Sequence, residues 1–159
     1  MKEKFKNELG LTRAGLLIII ILLLVVVVAL LLYFHNQKKR NFITMVKGYI
    51  SDVRTLVTED NLILPATYKE KVIISINQIK PDKELLNSTF GGKWVIEKSY
   101  IILKNSGTEF EPVYDYYIAL EDDKGNCLEL TKESKLKRNL VTKNCSIMEY
   151  AETKDAYVE

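Results

Sequence analysis

The chain has 159 residues, of which 47% are hydrophobic, and its 23 basic and 21 acidic residues leave a formal net charge of +2. A chain so close to neutral offers no field to hold a polyanion, which excludes nucleic-acid binding through the bulk of the protein. One histidine, His35, and two cysteines, Cys127 and Cys145, supply neither a Ser-His-Asp or Cys-His pairing in the C-terminal part nor a zinc set at the usual spacings, and no motif calls for a cofactor.

Residues 1–10, MKEKFKNELG, make a short polar leader with lysines at 2, 4 and 6. From Ala14 to Phe34 the chain then runs 21 positions without a charge, an amide or a proline, with Leu16, Leu24 and Leu32 along it. A helix rising about 1.5 Å per residue covers roughly 30 Å over that length, the thickness of a bilayer's hydrocarbon core. Backbone groups in lipid must be paired within the segment, so a helix is the expected form. The run exceeds the roughly 7–15 apolar residues of a secretory signal and no small-x-small cleavage site follows it, so residues 11–34 are expected to remain as a single membrane span. Lys2, Lys4, Lys6 and Arg13 flank one end and Lys38, Lys39, Arg40 and Lys47 the other, so the positive-inside count leaves orientation open.

The helix is expected to continue past the lipid. Phe42, Val46, Tyr49, Val53 and Leu56 recur at spacings of three and four with polar residues between them, the amphipathic period, and this face is predicted to bury against a domain. Gly48 costs about 1 kcal/mol relative to alanine without breaking the run, and no proline occurs before Pro65. One helix is therefore predicted from Arg13 to about Glu59, with residues 35–64 as the amphipathic continuation and residues 65–159 as the globular part.

Beyond Pro65 the period changes. VIISI at 72–76 and YIIL at 100–103 are short, β-branched apolar runs that read as buried strands. In YDYYIALEDDKGNCLEL, residues Tyr114, Tyr116, Ile118 and Leu120 share a face at period two, a turn follows, and Leu128 and Leu130 resume: a β-hairpin with Gly125 available for a left-handed position. Asp122, Asp123 and Asn126 around that glycine are a weak calcium candidate, since hard cations want several oxygens from one turn, and a plain polar turn is the favoured alternative. Phe90-Gly91-Gly92 reads as a loop, Pro81 with DKELL as a short helical turn, and residues 131–137 as another capped by Thr131. Cys127 and Cys145 either close a disulfide worth about 3 kcal/mol in an oxidising compartment or are two separate buried thiols.

Gly10-Leu11-Thr12, standing between the lysine-bearing leader and the apolar run, resembles the leader of type IV pilins and of the pseudopilins of type II secretion and DNA-uptake machines, where a dedicated peptidase cuts after a glycine in the pattern G-F-T-L-x-E. FGGKW, SYIIL, YDYYIAL and DDKGN between Phe90 and Asn126 are similar to the globular part of pilin-like proteins from Gram-positive bacteria. The resemblance implies a cut between Gly10 and Leu11 and an α+β fold in which a long N-terminal helix packs on a small antiparallel sheet. It also implies a cytoplasmic N-terminus, an extracytoplasmic domain, and four kinds of partner: the membrane, other pilin-like subunits met through the helix from Leu16 to Leu32, a prepilin peptidase, and an assembly ATPase with its platform. Two departures narrow the role. Gly15 stands where the family commonly has the glutamate that neutralises a neighbour's N-terminal amine, and Arg13 adds a charge near that end. A buried charge without its partner costs several kcal/mol, so the expectation is a minor or accessory subunit. A different class of function, an uncleaved membrane-tethered ligand-binding or sensor domain, is the alternative; a tethered hydrolase comes third, for want of a histidine in the domain.

Overall fold

The computed structural model describes residues 13–59, 64–79 and 87–150. A single helix, α1 (Arg13–Thr58), runs 46 residues without interruption. The chain divides into two compact units, residues 1–37 and 38–159.

In the first unit, the large apolar side chains from Leu16 to Phe34 are exposed on every side of α1. The helix is long and apolar enough to cross a membrane. A helix apolar all round has no polar stripe to turn toward water.

The second unit is an α+β fold in which the rest of α1 packs on a five-stranded antiparallel sheet. The strands are β1 (Lys71–Ser75), β2 (Tyr100–Asn105), β3 (Tyr114–Glu121), β4 (Asn126–Lys132) and β5 (Thr142–Lys143), hydrogen-bonded in chain order. Ile101 opposes both Ile74 and Ile118, and Leu103 opposes Val72 and Tyr116, so β-branched and aromatic side chains stack across three strands. A four-residue helix, α2 (Ile76–Ile79), follows β1, and 3-10 turns occupy Ile96–Lys98, Glu133–Lys135 and Arg138–Leu140.

Two apolar layers sandwich the sheet. On one face Phe42, Ile43, Val46, Tyr49, Ile50 and Val53 of α1 pack with Ile74, Trp94, Ile101, Leu103, Tyr116, Ile118, Leu120 and Leu128. Phe42 meets the Trp94 ring edge-on at 5.3 Å, and the Trp94 indole N–H donates to the Tyr49 hydroxyl at 3.0 Å, so the one buried indole is both packed and satisfied. On the other face Tyr100, Ile102, Tyr117, Ala119 and Cys127 are covered by Ile147, with Cys145 and Tyr150 beside it. The strand pattern of alternate residues thus feeds both layers.

Several local expectations are corrected. Leu56 is only half-buried, whereas Val57 packs on the core. At about 100° per residue the stripe formed by Phe42, Val46, Ile50, Val53 and Val57 leaves Leu56 about 80° from its centre. Leu130 is exposed, because β4 carries an extra residue between the pairs Leu120 with Leu128 and Ile118 with Thr131, and this bulge turns Leu130 away from the core. Thr131 is still strand and its hydroxyl donates to the Glu129 carbonyl; the 3-10 turn starts at Glu133, after Lys132, with no side-chain cap. Ile76, assigned to the first strand from its sequence, opens α2 instead. The helical turn expected at Pro81 lies outside the described residues.

Candidate functional site

The cleavage residues Gly10 and Leu11 lie outside the described residues. Of the anchor residues, Ala14 is helical, and Leu16, Leu24, Leu32 and Phe34 are each more than half exposed. Gly15 is half-exposed on the same helix. A helix surface of this kind offers apolar contact and no polar or titratable group.

The β3–β4 turn is a hydrogen-bonded hub built on Asp122, a carboxylate with 1% of its surface exposed. Its Oδ1 accepts the Lys124 N–H at 3.0 Å and the Asn126 N–H at 2.8 Å, the Asn126 side-chain amide donates to both oxygens, and the Ser88 hydroxyl donates to Oδ2. Asp123 Oδ1 accepts the Lys93 N–H at 3.0 Å. Gly125 sits at φ +74°, the left-handed conformation that the turn requires and that glycine adopts without strain. The calcium candidate is corrected on this geometry: the lone pairs of Asp122 that a cation would need already serve protein donors, and the three residues work as a turn. The same hub holds the loop after Asn87, since the Ser88 hydroxyl also accepts the Phe90 N–H. A carboxylate three residues before a glycine was the sequence signal for the turn; nothing local pointed to its partner thirty-four residues upstream.

Cys127 and Cys145 are joined by a disulfide with their Cα atoms 5.9 Å apart. The bond ties β4 to the segment that carries Ile147 and Tyr150 over the far face of the sheet. Tyr150 Oη reaches the Ile73 carbonyl at 3.4 Å, and Gln78 Oε1 accepts the Ser75 N–H at 3.0 Å, so the outer edge of β1 is partly capped by side chains. Between these caps lies a cavity of about 340 Å³ lined by Ser75, Asn77, Gln78, Glu97 and Tyr150 among others.

Electrostatic features are modest. Arg54 lies 4.8 Å over the Tyr116 ring and pairs with Glu133; burial pushes the Tyr116 hydroxyl pKa up, with the Arg54 charge opposing it. The Lys132 ammonium donates to Asp115 at 2.6 Å, a bond that raises its pKa, and Glu70 is lowered by the backbone N–H and hydroxyl of Thr67. Among the described residues no three of His, Cys, Asp and Glu come together in a metal-binding group. Comparison with known proteins returns no matching family model, no matching curated protein and no matching solved structure.

Proposed function

We propose that the chain is a pilin-like, single-pass membrane protein serving as a minor or accessory subunit of a type IV filament, a type II secretion machine or a DNA-uptake machine. The observation that carries this reading is α1: one uninterrupted element whose residues from Leu16 to Phe34 are apolar on every side, while those from Phe42 to Val57 turn one side into the core of a small sheet domain. The mechanism is mechanical. The apolar part waits in the bilayer; as an ATPase and a platform extract it, it trades lipid contacts for close packing against other subunits' helices. With Gly15 in place of an acid, the amine released by a cut after Gly10 has no counter-charge on its own chain at that position, which suits a subunit that does not polymerise by itself.

The test is mass spectrometry of the protein expressed with a prepilin peptidase. Loss of residues 1–10 is expected, and an intact chain beginning at Met1 would sink the filament reading. Gly15→Glu should increase entry into filaments; unchanged or poorer incorporation would refute the electrostatic argument for a minor role. The 340 Å³ cavity beside Ser75 and Tyr150 favours one second reading, an uncleaved tethered domain that binds a small polar ligand, and the intact chain is its expected result.

A further inference from the structure

Two surfaces of the residue 38–159 unit take no part in its core, and their chemistries match. The first is the loop 106–113 between β2 and β3, whose backbone closes on itself. The Ser106 N–H donates to the Val113 carbonyl at 2.7 Å, the Thr108 N–H to the Glu111 carbonyl at 3.1 Å, and the Glu111 N–H to the Thr108 hydroxyl at 3.0 Å. A Cβ at Gly107 would collide with the Glu111 carbonyl and the Val113 nitrogen, so this closure needs glycine. At the tip Phe110 is 91% exposed, well beyond any other large apolar side chain among the described residues, and it stands between the exposed carboxylates of Glu109 and Glu111.

The second surface is an open cleft of about 610 Å³ whose lining includes Arg40, Ile43, Leu136, Lys137 and Arg138. The three basic residues are exposed and Leu136 is half-buried, so cations surround an apolar wall. Among the described residues the ion pairs belong to other groups, Arg54 with Glu133, Lys98 with Glu121 and Lys132 with Asp115, which leaves both the loop's carboxylates and the cleft's cations unneutralised.

Loop and cleft lie toward opposite ends of the sheet. The loop enters β3 at Tyr114, the end where Arg54 lies over Tyr116. The cleft belongs to the end at Gly125: the residues after Asn139 lead into β5, which pairs with Asn126 and Cys127, and Phe42, two residues after Arg40, packs on Trp94, itself bridged to Asp122. Eight residues of β3 separate the ends by roughly 25 Å, so one copy cannot fill its own cleft. Complementary patches on different parts of one body make a heterologous, head-to-tail contact. We propose that the unit docks in this way on a second copy, with Phe110 entering the cleft against Ile43 and Leu136 while Glu109 and Glu111 meet Arg40, Lys137 and Arg138. The aromatic side chain anchors the contact, the preformed loop loses little freedom on docking, and the charges fix the register. One loop in one cleft is a small interface, so it orients copies that are already close and does not hold them together alone. The inference uses the residue 38–159 unit only and rests neither on a membrane span nor on a cut after Gly10.

Full chain in mild detergent, half of it labelled with nitrogen-15, is treated with a carbodiimide, which joins a carboxylate to an amine without a spacer, and the linked peptides are mapped by mass spectrometry. The expected result is isotopically mixed links from Glu109 or Glu111 to Lys137, in several-fold excess over mixed links from Glu129, an exposed carboxylate on β4, to the same lysine. Phe110→Ala, and separately Arg40→Gln with Arg138→Gln, keep the reacting groups in place and change only exposed side chains; each should cut the Glu109 and Glu111 links by roughly fivefold or more. Links confined to one isotope overturn the assignment to a second copy. Mixed links no more frequent than those from Glu129, or undiminished by Phe110→Ala, overturn the docking of the loop. Links that survive the Arg40 and Arg138 changes overturn the part given to the cations.

Discussion

Replacing Asp122 with alanine is expected to destabilise the residue 38–159 unit by about 3–4 kcal/mol. The carboxylate accepts from two backbone amides, the Asn126 side chain and the Ser88 hydroxyl, and four of its five hydrogen bonds are buried. A buried donor left without an acceptor costs about 1–3 kcal/mol, and the costs are not additive, because the Ser88 hydroxyl and the Lys124 amide can turn to water while the Asn126 donors cannot. For a unit of this size the loss corresponds to a fall of roughly 10–20 °C in Tm. Trp94 is the natural reporter: it is the single tryptophan, it is buried against Phe42, and it is bridged through its backbone to Asp122. The assay is thermal unfolding of the full chain in detergent followed by Trp94 fluorescence, with and without millimolar calcium. Asp122→Asn, which keeps one acceptor oxygen, should lose less than Asp122→Ala. A change within about 0.5 kcal/mol for Asp122→Ala, or a wild-type midpoint that climbs several degrees in calcium, would refute the account of a self-satisfied turn.

Three further outcomes follow from the same structure. Phe42→Ala should cost about 3–5 kcal/mol and Leu56→Ala under about 2, since the first empties a buried site against Trp94 and the second trims a half-exposed edge; paired urea titrations read the difference, and equal losses would contradict the helix orientation. Reducing the Cys127–Cys145 bond should lower stability by about 3 kcal/mol, and on intact cells a membrane-impermeant thiol reagent should label the pair only after reduction; labelling confined to lysed cells would overturn the extracytoplasmic orientation. The backbone N–H and hydroxyl of Thr67 hold the Glu70 carboxyl below the ordinary glutamate range, so it contributes stability above that range and the contribution is lost as pH falls through the folded pKa; Glu70→Gln should show a shallower acid-side loss of midpoint than the wild type, and parallel curves would refute the assignment.

The elements that a local period specifies were legible in the chain. The run from Ala14 to Phe34 has no polar residue to place, and the recurrence of Phe42, Val46, Tyr49 and Val53 sets one helical face, so α1 could be drawn from Arg13 to within a residue of its end at Thr58. Likewise the alternation of Tyr114, Tyr116, Ile118 and Leu120 put four side chains on the helix-facing side of β3. What the tertiary structure decided are matters of partnership, because a period describes one element and a contact needs two. Whether Leu56 or Val57 lies inward depends on where the sheet sits, and the exposure of Leu130 depends on a bulge set by the pairing of β3 with β4. Asp122 reads as a turn residue until Ser88 arrives from another loop, and the cysteines could be counted but not paired until Ile147 and Tyr150 were seen to cross the far face of the sheet. Arg40 reads as a membrane-flanking charge, and it becomes one wall of a cationic cleft only because folding carries Lys137 and Arg138 across nearly a hundred residues to meet it.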